Sequence, residues 1–147
     1  MLFRSTHGGR DPLTDLRDGL LDRLLALPGV ELTGPDPRLR SVVDGDPCRL
    51  PHHISLLVRG PDGRCLPGRQ LVRQLWREGV AVGSGSACSS GAAGATSPVL
   101  KAMGYSDDEA AGGLRLSLGP WLKANDLEMV PERLQRARAA LALVSGP

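Results

Sequence analysis

Cys88 stands in a setting unlike that of a core residue. It lies within residues 80–105, VAVGSGSACSSGAAGATSPVLKAMGY, where almost no large side chain is near enough in sequence to pack against it. Ser84, Ser86, Ser89 and Ser90 flank it, and Gly83, Gly85, Gly91 and Gly94 permit wide backbone excursions. A thiol in such a loop is exposed and able to visit two places. That is what a nucleophile needs if it receives a group at one site and delivers it at another. Reactivity also requires the thiolate, whose population depends on surroundings that the sequence does not display. The plainer alternative is a small buried hydrophobe. Arg115 is the second signal. It sits in the middle of LRLSLG (114–119), out of phase with Leu114, Leu116 and Leu118. It reads either as a surface arginine or as a planar fork for a carboxylate.

Other chemistries find less support. Gly83 and Gly85 begin a G-x-G-x-x-G pattern, but its sixth position is Cys88, and no Gly-Lys-Ser/Thr phosphate loop occurs. Gly83-Ser84-Gly85-Ser86-Ala87 has alanine where a nucleophile elbow needs its last glycine. Cys48, His52 and His53 are close in sequence, yet neither C-x-x-C nor H-x-x-x-H is present. The expectation is no metal, with the histidine pair opening a strand.

The elements that must position Cys88 and Arg115 follow from periodicity and capping. Asp11-Pro12 starts a helix, with leucines at 13, 16, 20, 24 and 27, and Pro28-Gly29 ends it. VELTG (30–34) and HHISLLVRG (52–60) read as strands, joined by a connection with a third strand at 41–43. PDGR (61–64) is turn chemistry. Residues 68–79 form an amphipathic helix with Leu71, Val72, Leu75 and Trp76 inward and Gly79 as C-cap. VAVGS is a strand leading into the cysteine loop. Ser97-Pro98 opens the next helix, Ser106 caps a shorter one, and LRLSLG is a strand. A last helix spans 125–144, capped by Asn125 and Asp126. The order α-β-β-α-β-loop-α-α-β-α implies an α+β fold, a small mostly antiparallel sheet packed by helices.

The totals agree with one domain of ordinary size, with residues 1–11 a loose N-terminal segment and 12–147 the domain proper. Net charge is +2 with both signs mixed along the chain, so there is no basic stripe for nucleic acid. No apolar run reaches the length of a membrane span. The first residues lack a signal peptide's apolar core, which makes a cytoplasmic protein the expectation. Three widely spaced cysteines, Cys48, Cys65 and Cys88, suit reduced thiols better than a disulfide framework.

Taken in order, GVAVGSGSACSSG, SPVLKAMGYSDDEA and LRLSLG resemble the C-terminal small domain of cysteine desulfurases. These are fold-type I, pyridoxal-phosphate-dependent enzymes of the class V aminotransferase group. The resemblance extends over roughly residues 12–144, with its specific part at 79–119. It implies that Cys88 attacks the sulfur of an L-cysteine–pyridoxal adduct, becomes a persulfide, and releases alanine. The sulfur then passes to an acceptor or scaffold protein for iron–sulfur cluster assembly or thiolation. It implies that Arg115 holds the substrate carboxylate.

The sequence also departs from the family. The family's Schiff-base lysine belongs to a large N-terminal domain, where it follows a histidine near the end of a strand. The two lysines here, Lys101 and Lys123, do not have that context. The resemblance therefore implies that the large pyridoxal-phosphate-binding domain is missing from these residues and acts in trans or from another part of a longer chain. Two other readings stay open: a stand-alone persulfide carrier or adaptor without pyridoxal chemistry, and an idle remnant with Cys88 inert.

Overall fold

A computed structural model describes residues 11–43, 45–85 and 96–144. Helix α1 (Pro12–Leu25) begins where Asp11 Oδ1 accepts the Leu13 N–H at 2.9 Å, and Pro12 occupies the first turn. Strand β1 (Val30–Leu32) and strand β2 (His53–Val58) pair antiparallel. Helix α2 (Gly68–Arg77) leads to the two-residue strand β3 (Gly83–Ser84). Helices α3 (Pro98–Ala102) and α4 (Asp107–Gly112) follow, then strand β4 (Leu114–Ser117) and helix α5 (Val130–Val144). The result is an α+β fold with one four-stranded antiparallel sheet, ordered β1-β2-β4-β3.

Each boundary has a local cause. Ser97 Oγ accepts from the Leu100 N–H and starts α3. Ser106 and Glu109 cap α4 reciprocally: the hydroxyl accepts from the Glu109 N–H while the carboxylate accepts from the Ser106 N–H at 3.0 Å. The core lies between one face of the sheet and helices α1, α2 and α5. Leu20, Leu24, Ile54, Leu56, Leu71, Leu114 and Leu134 are all buried there. Ile54 opposes Leu116 and Leu56 opposes Leu114 in the central β2–β4 pair. The residues between them, Ser55 and Arg115, are thereby turned to the other face.

The structure corrects several expectations. Residues 41–43 are not a strand. The β region of this connection is reduced to a single bridge between Arg40 and Pro47, and Val42 and Val43 are fully exposed. Valine favours a pleated surface only when a neighbouring strand and a covering layer exist, and neither is present here. Trp76 is 72% exposed instead of inward. Leu71 and Leu75 hold the buried stripe of α2, and a residue directly after Leu75 is rotated about 100° off it. The last helix is split. A short 3₁₀ helix covers Ala124–Leu127, with Asp126 Oδ2 accepting the Lys123 N–H at 2.8 Å, and α5 begins only at Val130. Pro131 lacks the N–H that continuation from the preceding turn would use, but it suits a fresh first turn. The strand expected at 80–84 shrinks to Gly83–Ser84. Among the described residues, no helix is long and apolar enough to cross a membrane.

Leu56 is fully buried and touches both neighbours of β2 through its register with Leu32 and Leu114. Leu56→Ala is expected to lower unfolding free energy by about 2–5 kcal/mol in urea denaturation. Val42→Ser is expected to change it by less than about 0.5 kcal/mol, in keeping with a solvated loop.

Candidate functional site

The polar face of the central strands carries the site. Arg115 of β4 is directly opposed by Ser55 of β2 on one side and by Gly83 of β3 on the other. Gly83 matters because it has no side chain. A Cβ there would stand 3.4 Å from Arg115 Nη2, so the guanidinium lies over bare backbone. Arg115 is exposed, and its side chain has no hydrogen bond or ion pair among the described residues. Ser55 Oγ accepts the Thr33 hydroxyl at 2.6 Å, which extends the polar surface to the end of β1.

A cavity of about 290 Å³ opens above this face. Its polar wall contains Arg115, Ser55, Thr33, His53 and Arg49, and its apolar side is built by α3 with Leu100 and Met103. None of the described residues lining it is acidic. Gly85 and Ser97, which flank residues 86–95 in the chain, also line it. Ser97 is fixed in place, because its backbone N–H donates to the Ala110 carbonyl at 2.9 Å. Cys88 itself lies outside the described residues, so the distance from its sulfur to Arg115 is not part of this geometry.

Electrostatics match the lining. His53 is pushed below the ordinary histidine value by burial first, and then by the charges of Arg49, Arg115 and His52. Burial likewise pushes Arg49 down, with the neighbouring Arg17 charge adding to it. Arginine nonetheless keeps its proton in proteins. The cavity is therefore a cationic, acid-free concavity, suited to a small anion such as a carboxylate.

The other candidates behave differently. Cys48 is exposed and free. Cys65 is free and half-buried, and burial raises its thiol pKa, which disfavours the nucleophilic thiolate. Neither lines the Arg115 cavity. Lys101 is ion-paired with Asp107 at 2.6 Å, and Lys123 lies beside the 3₁₀ helix; neither reaches the cavity lining. The residues present thus fit an amino-acid carboxylate. They do not supply the lysine that would hold pyridoxal phosphate.

The sequence pointed to Arg115 but not to Arg49, and it assigned His53 only to a strand end. Arg49 lies in an irregular connection, where no periodicity says which way a side chain faces. His53 had a usable signal: it is two residues from Ser55 in an alternating strand, and so shares its face.

Comparison with known proteins bears on the family and the fold. No protein-family model matches the chain. An IscS-like cysteine desulfurase of Mycobacterium tuberculosis is 36% identical over 136 residues, covering 89% of this chain and 31% of that protein. A cysteine desulfurase of Sinorhizobium fredii is 35% identical over 109 residues, covering 71% of this chain and 27% of its own length. This chain is a relative of the cysteine desulfurases. It spans about three tenths of the curated relatives' length, the extent of a small domain. In fold, it superposes on a NifS-like protein from Rickettsia africae with a TM-score of 0.61 at 20% identity, over 85% of this chain and 28% of that one. A second NifS-like protein gives a TM-score of 0.57. The desulfurase resemblance carried by the loop, helix and strand motifs therefore holds over most of the chain.

His53 is the natural reporter of the site. Its folded value lies below the ordinary 6.5, so between the two values the unfolded chain binds the proton and the folded chain does not. Stability should rise with pH through that window and level off near 6.5. The expected outcome of an NMR titration is a His53 midpoint below 6.5. Arg115→Gln should move it upward by removing one of the repelling charges, and His53→Gln should flatten the stability slope.

Proposed function

We propose that this chain is the small domain of a cysteine desulfurase. In this reading, Arg115 holds the carboxylate of L-cysteine and Cys88 takes its sulfur as a persulfide, with alanine released. Sulfur then leaves Cys88 for an acceptor or scaffold protein that serves iron–sulfur cluster assembly or thiolation. The observation that carries the reading is Arg115, unpartnered among the described residues in an acid-free cavity. The ends of the cysteine segment, Gly85 and Ser97, line that same cavity. A carrier of sulfur alone has no use for such a guanidinium.

The division of labour follows from what the residues can do. Pyridoxal phosphate, bound by the family's large domain in trans or elsewhere in a longer chain, would supply the electron sink that makes the substrate's C–S bond breakable. This chain orients the substrate through the planar, two-pronged Arg115 contact, which fixes a carboxylate in angle as well as position. The Cys88 thiolate attacks sulfur and forms the S–S bond. The electron pair of the breaking C–S bond stays with carbon, which takes a proton. The setting is cytoplasmic, where thiols stay reduced.

The test uses the purified 147-residue chain with pyridoxal phosphate and L-cysteine, alone and with a desulfurase large domain. The cofactor's absorbance and the mass of the Cys88 peptide are followed. Neither a protein Schiff-base band of the cofactor nor a 32-dalton addition is expected from the chain alone, and both are expected with the large domain. Cys88→Ala should abolish the addition while leaving the cofactor band in place. Turnover by the chain alone would overturn the divided-domain reading. Sulfur arriving on Cys88 from a persulfide donor, with no cofactor band in any mixture, would make the chain a carrier.

A further inference from the structure

Arg49 lines the same cavity as Arg115 and is held there from several sides. Its Nη2 donates to the Thr33 carbonyl. The turn after Thr33 leaves room for it: Gly34 has φ +74°, and a Cβ there would come within 2.8 Å of both Arg49 Nη2 and Met103 Cε. The Gly34 N–H donates to the Tyr105 hydroxyl at 3.0 Å, which ties this turn to the segment after α3. The neighbouring residue is anchored as well, since the Leu50 carbonyl accepts from buried Arg17 Nη1 at 3.1 Å. Yet Arg49 Nη1 is buried with no hydrogen-bond partner among the described residues. The acid whose charge acts on Arg49, Asp36, is ion-paired with Arg38 at 2.7 Å. A buried charged donor left without an acceptor is costly, and a structure that fixes it so fully has a use for it.

We propose that Arg49 is a second anion-binding residue of this cavity, so that the carboxylate of an amino-acid ligand is held between the guanidinium groups of Arg49 and Arg115. The inference rests on the reading of Arg115 as a carboxylate group and extends it from one arginine to two. The Arg115 guanidinium lies at the open, Gly83 side of the sheet, and Arg49 closes the site from the connection between β1 and β2. Ser55 and Thr33 sit on the polar strand face beside Arg115. With no acid among the described residues of the lining, an entering carboxylate is the first negative charge that either guanidinium meets from that side.

The test needs no cofactor and no turnover, so it can fail separately from the desulfurase reading. Isotope-labelled chain is titrated with S-methyl-L-cysteine, and with its methyl ester, which lacks the carboxylate. The side-chain Nε–H signals of Arg49 and Arg115 and the imidazole of His53 are followed by NMR. All three are expected to move together with one dissociation constant for the acid and to stay still for the ester. Arg49→Gln should weaken binding by about tenfold, the scale of one charge-assisted hydrogen bond, and Arg49→Lys should recover part of the loss. Circular dichroism checks that each variant folds; should Arg49→Gln unfold, the wild-type Arg49 signal decides alone. Movement of Arg115 without Arg49 would overturn the inference. So would an Arg49→Gln affinity equal to wild type, binding of inorganic phosphate in place of the amino acid, or no binding at all. Two-arginine binding together with absent sulfur loading on Cys88 in the presence of the large domain would leave this inference standing and remove the desulfurase reading.

Discussion

The register of β2 against β4 is the constraint on which the rest depends. Ile54 and Leu56 meet Leu116 and Leu114 over the helices, and this burial fixes Ser55 opposite Arg115 on the other side. Because a strand alternates strictly, a slip of one residue would drive the arginine into the core and bring leucines to the cavity. The apolar face therefore sets the position of the cationic one. Helices α1, α2 and α5 supply the covering layer, and the site needs little packing of its own.

Charge is sorted between the interior and the two surfaces. On the cavity side, Arg49, His53 and Arg115 stand without acids among the described residues of the lining. Farther along the sheet, Arg59 is paired with Glu31 at 2.7 Å and with Glu109 at 2.9 Å, which joins β1, the end of β2 and α4 in one network. Inside, Arg17 and Asp18 form a buried pair at 2.8 Å. Such a pair gains little net stability over a well-packed apolar substitute, because both ions lose water. Its visible use is directional: it leaves Arg17 Nη1 to hold the Leu50 carbonyl, next to Arg49.

Much of this was legible from local chemistry. Asp11-Pro12, Ser97-Pro98 and Ser106 mark three helix starts because each satisfies backbone donors within a few residues. The alternation in LRLSLG placed Arg115 on the polar face for the same local reason. What failed was non-local. Val42 and Val43 have strand-like side chains, but pairing depends on a neighbour that the fold does not supply. Trp76 is large and apolar, yet the direction of α2 is set by Leu71 and Leu75 packing beneath it. Arg49 gave no signal because an arginine in an irregular connection looks the same whether it faces solvent or a cavity. Only the tie to Thr33 and the gap at Gly34 reveal which, and those contacts join residues far apart in sequence.

The sheet ends on both sides in very short strands. β1 has three residues, bounded by Gly29 and Gly34, both with positive φ, and β3 has two, with Gly85 turning left-handed directly after it. Left-handed residues interrupt the row of backbone donors and acceptors that another chain would need as a template. Among the described residues, neither border offers a run long enough for intermolecular strand addition. A leucine-rich core with few aromatic residues is thus enclosed in a sheet whose described borders are poorly suited to fibrillar self-association.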